Sequence, residues 1–169
     1  MASHHVVERM YAHMSNAQSR SDGEFLGRVA IVTGGGSGIG RATADAFGCR
    51  GAHVAIADWD ESAGESAAKA IRETGGSAIA ITTDVSREDE VQRLAEGVRA
   101  RFGQIDYLFA NAAVHRFGTV TATSPEEFDW IMGVNVRGAY LCTRAVLPNM
   151  ISAGRGVIVA TSSDCAIRT

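Results

Sequence analysis

The feature that most constrains the fold is a glycine-rich stretch behind a short apolar run, Val29-Ala-Ile-Val-Thr-Gly-Gly-Gly-Ser-Gly-Ile-Gly40. The β-branched run at its start predicts a buried strand, and the pattern from Ile39 onward predicts a helix. A strand, a glycine turn and a helix in this order direct free backbone N–H groups and the positive end of the helix dipole at one point. The stretch therefore predicts an anion site, although a plain tight turn would use the same residues.

Three glycines of this turn have separate predicted roles. Gly34 can adopt the sharp turn, Gly38 lets a phosphate approach the backbone, and Gly40 lets the helix pack close to the strand. Their spacing, Gly-x-x-x-Gly-x-Gly, differs from the commoner G-x-G-x-x-G fingerprint. The glycines alone therefore do not distinguish a nucleotide-binding site from a plain tight turn, and the two alternatives have to be distinguished by other residues of the chain.

Composition indicates a globular domain with one core. The chain has 169 residues, of which 46% are hydrophobic and 21% charged, as in soluble globular proteins. A net charge of −3 without a basic run gives no indication of nucleic acid or membrane binding. No apolar run approaches the roughly 18 residues of a membrane-spanning helix. We expect a flexible N-terminal extension over residues 1–24, a folded domain over residues 25–169 and a cytoplasmic location, because the extension lacks the apolar core of a signal peptide.

The cysteines and the N-terminal histidines give no metal or disulfide pattern. The cysteines are scattered and have no C-x-x-C spacing, so we expect reduced thiols. The histidines of the extension are predicted to be solvated. These residues are Cys49, Cys142, Cys165, His4, His5 and His13. No metal site is predicted.

Strand and helix patterns alternate along the rest of the chain. The predicted strands are Val29–Thr33, His53–Asp58, Ala78–Thr83, Tyr107–Ala110 and Val157–Thr161. Asp60, Ser86 and Ser124 are candidate helix caps, and the helix after Ser124 is predicted to run to about Val146. Short apolar strands separated by helices predict a parallel sheet covered on both faces. Right-handed crossovers then give an α/β, doubly wound, Rossmann-type sheet in the order 3-2-1-4-5.

Two acidic residues end predicted strands at the same edge of this sheet. Asp58 follows Gly40 by 18 residues, where a dinucleotide fold places an acid that holds both hydroxyls of the adenosine ribose. A strand-end aspartate that caps the next turn is the alternative. Asp84 ends the third strand, where it could accept a hydrogen bond from adenine or cap the following helix.

Asn135 lies on a predicted helix face with Phe128, Ile131, Met132, Ala139 and Cys142, at steps of three or four residues. An amide on an apolar face has to find partners, or it costs about 1–3 kcal/mol. A satisfied core asparagine and a functional one both fit. Three aromatic residues, Trp59, Phe128 and Trp130, are predicted to pack, and His115 to be an exposed loop histidine that could face a substrate.

Five motifs occur together in this order: Thr33-Gly-Gly-Gly-Ser-Gly-Ile-Gly40, Asp84-Val85, Asn111-Ala-Ala113, Asn135-Val-Arg-Gly138 and Val157-Ile-Val-Ala-Thr-Ser-Ser163. From about Phe25 to its C-terminal end, the chain therefore resembles the short-chain dehydrogenase/reductase family. One motif departs from the family pattern. Where the family usually has Asn-Asn-Ala-Gly, this chain has Ala110-Asn-Ala-Ala113, so a bulkier loop is expected.

The resemblance implies a role for each matching residue. Those implied to wrap the pyrophosphate of a dinucleotide are Gly34, Ser37, Gly38, Ile39 and Gly40. Those implied to hold the adenosine half are Asp58 at the ribose, and Asp84 and Val85 at the adenine. Those implied to border the nicotinamide are Asn111 and the backbone of Ala112 and Ala113. Ser163 matches the catalytic serine, and Asn135 matches an asparagine that holds a water in the proton relay.

The family completes its site with Tyr-x-x-x-Lys, in which tyrosine is the general acid/base and lysine lowers its pKa. Lys69 is the only lysine here, and the motif does not occur. If the chain truly ends at Thr169, we expect it to bind cofactor but to be inactive alone. The alternative function is then a catalytically incomplete nucleotide-binding or interaction protein.

The resemblance otherwise implies an oxidoreductase that transfers a hydride between a nicotinamide and a small alcohol or ketone. NAD is expected rather than NADP, because Asp58 would face the extra 2′-phosphate and Ser37 stands where a basic residue would bind it. Arg41 lies close to this turn and leaves some room for NADP. The family also implies a homo-oligomer, a dimer or tetramer, for a full-length protein.

Overall fold

The computed structural model describes residues 23–163. Most of the predicted N-terminal extension, with His4, His5 and His13, lies outside these residues, as does Cys165. Within them, no helix is long and apolar enough to cross a membrane.

Five parallel strands form one sheet. They are β1 (Val29–Thr33), β2 (His53–Asp58), β3 (Ser77–Thr82), β4 (Tyr107–Ala110) and β5 (Val157–Ala160). Their order is β3-β2-β1-β4-β5, which confirms the doubly wound Rossmann-type sheet. Every residue of β1 is buried, because this central strand is paired on both sides and covered on both faces. In β5, Val157 and Val159 are half exposed.

Helices cover both faces of the sheet. The α-helices of the described residues are α1 (Gly38–Cys49), α2 (Glu61–Glu73), α3 (Glu88–Phe102), α4 (Pro125–Met132) and α5 (Ala139–Ser152), and of these α4 has no buried residue. On one face, α1 and α2 pack over Val32 and Ile56. On the other, α3 and α5 pack over Ile31 and Leu108. These two apolar layers hold the strand ends, and hence the loops that follow them, in fixed positions.

The helix starts confirm two predicted caps and correct a third. Asp60 accepts a hydrogen bond from the backbone N–H of Ala63, and Ser124 forms a capping box with Glu127. Ser86 was predicted to open α3, but the residue preceding that helix is Arg87, which makes no side-chain cap. The Ser86 hydroxyl instead donates to Asp84.

The helix predicted to run from Ser124 to about Val146 is longer and is interrupted. A π-helical turn, Gly133–Gly138, separates α4 from α5, which continues to Ser152. The predicted apolar face is also wrong, because Phe128 is 56% exposed and Met132 is 39% exposed. Both residues lie in α4, none of whose residues is buried, whereas Cys142 in α5, beyond the π turn, is buried. The π turn changes the angle between successive residues, so one buried face does not continue from α4 into α5.

Asp106 ties the opposite, N-terminal edge of the sheet together. Its buried carboxylate accepts hydrogen bonds from Arg155 Nε at 2.8 Å, Val29 N at 3.0 Å and Arg28 Nη1 at 3.3 Å. Burial alone would raise the pKa of Asp106. The hydrogen bonds from Arg155 and Val29, together with the charges of Arg155 and Arg28, outweigh it and hold the pKa below its ordinary value.

Replacing Asp106 with asparagine is expected to lower the free energy of unfolding by about 1–3 kcal/mol at pH 7, because the bonds to the charged group are weakened. A lowered folded-state pKa stabilises the fold above the unfolded-state pKa of about 3.9. The stability difference between wild type and Asp106→Asn should therefore shrink as the pH falls below about 4. Urea unfolding between pH 7 and pH 3 measures it, and a difference that does not change over this range would contradict the assignment.

Candidate functional site

A cleft of about 620 Å³ opens at the carboxyl ends of the strands. It is lined by residues from the loops that follow β1, β2, β3 and β4. In a doubly wound sheet, ligands bind at this edge, where the strand order reverses on either side of β1. All the predicted cofactor residues except Gly40 line the cleft: Gly34, Ser37, Gly38, Ile39, Asp58, Asp84, Val85, Asn111, Ala112 and Ala113.

The glycine turn leaves the start of α1 open to the cleft. Gly34 and Gly38 have positive φ angles of +64° and +51°, a backbone conformation that glycine adopts without strain. A Cβ added to Gly38 would meet nothing within 4 Å. Ser37 precedes the helix without a side-chain cap, and the first turn of α1 carries no acidic residue. The helix N-terminus is thus available to an anion, as the glycine spacing predicts.

Gly40 acts from behind the turn rather than from within the cleft. A Cβ at this position would overlap the carbonyl oxygen of Gly34 and would lie 2.8 Å from Nδ2 of Asn111. The predicted close approach is therefore between the helix and the turn itself. It lets the first turn of α1 lie directly against the loop that follows β4.

Asp58 makes the contacts of the second predicted alternative, a strand-end aspartate that caps the next turn, and it also lines the cleft. Its carboxylate accepts the backbone N–H of Gly36 at 2.8 Å through Oδ2 and that of Asp60 at 3.1 Å through Oδ1. The residue is 8% exposed, yet it lines the cleft. A carboxylate has about four acceptor positions, so these bonds fix its orientation and leave further acceptor capacity for a ligand.

The hydrogen bonds of Asp84 and Asn111 mainly hold neighbouring parts of the protein in position. Oδ1 of Asp84 accepts the backbone N–H and the hydroxyl of Ser86 at 2.9 and 2.7 Å. Asn111 donates to the carbonyl of Thr33 at 3.2 Å and accepts the Thr161 hydroxyl at 3.1 Å. Asn111 thus joins the ends of β1, β4 and β5, so its side chain positions the loop while the loop backbone borders the cleft.

The loop after β4 is also held by Thr33, the last residue of β1. The buried hydroxyl of Thr33 accepts the backbone N–H groups of Asn111 and Ala112 at 2.9 and 3.1 Å. Described residues other than glycine all have negative φ angles. Ala113 therefore follows this path without strain, and the bulkier Asn-Ala-Ala sequence is accommodated.

A smaller cavity of about 300 Å³ adjoins the cleft and brings the two predicted catalytic residues together. Asn135 and Ser163 both line it, with Thr161 and Ser162. Asn135, in the π-helical turn, accepts the N–H of Val114 and donates to its carbonyl, both at 2.8 Å. The asparagine is therefore satisfied, but by the loop after β4 and at an exposed position rather than within a core.

Several cleft residues were not among the predicted site residues. They are Trp59, Thr83, Val114, Val134 and Thr161. His115, predicted to be an exposed loop histidine that could face a substrate, is exposed and lines the cleft. Trp59 was predicted to pack but is 61% exposed, which corrects that prediction. Trp130 is also partly exposed, with the guanidinium of Arg116 above its ring at 5.6 Å. The sequence feature that could have identified Trp59 as a cleft residue is its position next to Asp58, directly after a strand.

Comparison with known proteins agrees with this geometry. The sequence profile of the family described as short chain dehydrogenase matches residues 28–168. The 2,5-dichloro-2,5-cyclohexadiene-1,4-diol dehydrogenase of Sphingobium indicum is 41% identical over 146 residues, which are 85% of this chain and 57% of that protein. This chain spans about half the length of the curated relatives it matches.

Solved structures match the fold closely. A short-chain dehydrogenase/reductase from Burkholderia phymatum in complex with NAD is 36% identical, with a TM-score of 0.84 over 86% of this chain and 52% of that one. A metagenomic short-chain oxidoreductase in complex with NADP is 38% identical, with a TM-score of 0.80 over 82% of this chain and 63% of that one. By sequence and by fold, this chain belongs to the short-chain dehydrogenase/reductase family of oxidoreductases.

Proposed function

We propose that the chain is the cofactor-binding part of an NAD-dependent oxidoreductase that acts on a small alcohol or ketone. The observation that carries the proposal is the shared cleft, in which the uncapped start of α1 and the carboxylate of Asp58 face the same space. The part of the cleft at the glycine turn suits an anion, and the neighbouring part at Asp58 suits two hydroxyl groups. A pyrophosphate joined to a ribose presents those two groups.

The residues of the cleft fit a dinucleotide along its whole length. The backbone from Ser37 to Gly40 would bind the pyrophosphate, and Asp58 would bind the adenosine ribose. Val85 lies at the β3 side of the cleft and gives the adenine an apolar surface. The loop Asn111–Ala113 would border the nicotinamide. A bound nicotinamide would supply the hydride acceptor or donor.

The smaller cavity would hold the reacting oxygen of the substrate. Ser163 can donate a hydrogen bond to a carbonyl oxygen or accept one from a hydroxyl. Asn135 is fixed by two bonds to Val114, so it keeps the loop and the cavity wall in place. The Sphingobium relative is named a diol dehydrogenase, which supports an alcohol or ketone as the substrate class.

Further parts of the proposal concern the whole protein. We propose a homo-oligomer, supported by an exposed apolar stripe on the π turn and α5 formed by Val136, Tyr140, Leu147 and Ile151.

We also propose a cytoplasmic location, supported by the cysteines, since Cys49 and Cys142 are both free thiols. Burial raises the pKa of Cys142 to about 12, so this thiol stays protonated and unreactive at neutral pH.

Cofactor binding can be tested with the tryptophans. The chain has two, and only Trp59 lines the cleft. In a Trp130→Phe variant, NAD is expected to change the emission of Trp59 in a saturable manner, because a bound adenosine would shield its exposed ring. The matched Trp59→Phe variant, which keeps Trp130, should show no such change.

The two variants separate specific binding from general quenching. An equal, unsaturable loss of emission in both would show that NAD acts only as a solute. If calorimetry also detected no binding of NAD to the wild-type chain, the proposed function would be wrong.

A further inference from the structure

We infer that His115 is a substrate-binding residue that recognises a second oxygen atom of the substrate, so that the preferred substrates carry two oxygen functions, as diols, hydroxyketones and diketones do. The inference rests on the proposed function. It goes beyond it by naming a specificity residue and the kind of molecule that this residue selects.

The position of His115 in the fold is the first argument. The residue lines the main cleft and belongs to the loop after β4. In the strand order β3-β2-β1-β4-β5, this loop lies on the other side of β1 from Asp58 at the end of β2. Neighbouring strands are about 4.8 Å apart, so the two strand ends are separated by about 10 Å. The first residues of this loop, Asn111, Ala112 and Ala113, line both the cleft and the cavity of Ser163. His115 follows them in the part of the cleft that adjoins this cavity.

The anchoring of the preceding residue is the second argument. Both backbone polar groups of Val114 are bound by the Asn135 side chain at 2.8 Å, and consecutive Cα atoms are about 3.8 Å apart. His115 thus begins from a fixed point beside a wall of the smaller cavity. A substrate oxygen held near Ser163 leaves the rest of the molecule within the adjoining part of the cleft.

The surroundings of the imidazole are the third argument. The Phe117 ring meets the imidazole edge-on, with the centroids 5.1 Å apart, and supports it from one side. The charge of the adjacent Arg116 is directed at the Trp130 ring instead. The cleft residues nearest to His115 in the sequence, Ala113 and Val114, are apolar. His115 is exposed, so its imidazole is a polar group beside apolar residues of the cleft, able to donate or accept one hydrogen bond.

A pair of matched ketones tests the inference without requiring turnover. The protein is loaded with oxidised NAD, which cannot reduce a ketone, and is titrated with cyclohexanone and with 1,4-cyclohexanedione. These probes differ by one carbonyl oxygen. The dione should bind the wild-type protein about five- to tenfold more tightly, the value of one added hydrogen bond. His115→Ala should reduce this advantage to the statistical factor of about two that the two equivalent carbonyl groups give, and His115→Gln should restore part of it.

Proton NMR of the imidazoles gives a second measurement on the same samples. The dione should shift the His115 ring signal further than cyclohexanone does, whereas His53, at the opposite end of the sheet against Phe102, should not move. If His115→Ala keeps the full preference for the dione, or if NAD alone accounts for the whole shift, the inference is wrong. If NAD binds but neither ketone binds to the NAD-loaded protein, the proposed substrate class fails and the inference fails with it.

Discussion

NAD is expected to bind this protein about a hundredfold more tightly than NADP, and Asp58→Ala to reduce that ratio to tenfold or less. A like-charge contact between Asp58 and a 2′-phosphate costs several kcal/mol, and about 1.4 kcal/mol corresponds to a factor of ten in affinity. Dissociation constants for both cofactors, measured by calorimetry on the wild type and the variant, give the two ratios. Equal or tighter binding of NADP by the wild type would overturn the prediction.

Three structural features support so large a ratio. The carboxylate of Asp58 is held by the backbone of Gly36 and Asp60, so it cannot turn away from a phosphate. Among the described residues that line the cleft, none is a lysine or an arginine. Arg41, a basic residue in the first turn of α1, directs its Nε at both oxygens of Asp45, each at 3.1 Å.

A control for charge is available two residues away. Asp60 is the N-cap of α2 and its side chain accepts from Ala63. Asn caps a helix as well as Asp does, so Asp60→Asn removes one nearby negative charge and keeps the fold. The cofactor ratio should be almost unchanged in this variant. Thermal unfolding of Asp58→Ala should be recorded too, since this variant loses the acceptor for two backbone N–H groups.

Gly40→Ala is expected to destabilise the chain by about 3 kcal/mol or more and to weaken NAD binding at least tenfold. The added methyl group would overlap the carbonyl oxygen of Gly34 and lie 2.8 Å from Asn111 Nδ2. Forced overpacking costs about 1–3 kcal/mol when side chains can yield, and here the obstacle is backbone. The start of α1 would have to move, which separates the N–H groups that form the proposed pyrophosphate site.

Gly64→Ala provides the matched control, because Gly64 is also a buried helical glycine. Its added Cβ would lie 3.6 Å from Asp58 Cβ and 3.7 Å from Ala80 Cβ, which are ordinary contacts. Alanine favours a helix over glycine by about 1 kcal/mol, so this variant should be as stable as the wild type or slightly more so. Urea unfolding and NAD titration of both variants measure the effects. Wild-type stability and affinity in Gly40→Ala would contradict the packing argument.

Local sequence signals were sufficient for the order and type of the elements. Three of the strands, β1, β2 and β4, have the predicted bounds, and β3 and β5 differ by one residue. The conformation of a short β-branched run between a glycine turn and a helix cap depends mainly on residues that are near in the sequence. It can therefore be predicted from the sequence. The glycine turn and Asp58 could be assigned to one site because parallel strands bring their carboxyl ends to the same edge.

The sequence could not predict which hydrogen-bonding groups that are far apart in the chain would become partners in the fold. The regular spacing around Asn135 predicted a buried helix face, but Asn135 lies in a π turn and binds the backbone of Val114. Phe128 is exposed in α4, a helix without buried residues. Tryptophan is a residue type that usually packs in a core, and only the tertiary structure shows that Trp59 lines the cleft.

The sequence by itself determined the alternating α/β fold, the position of the glycine turn at the sheet edge and the family, because these depend on local conformation and on motif order. The tertiary structure decided how the site is held. Asn111 braces three strand ends, Gly40 packs on the turn, and Val114 is fixed by Asn135. These contacts join residues that are far apart in the chain, and no local pattern specifies which distant backbone group will lie within hydrogen-bonding distance of a side chain.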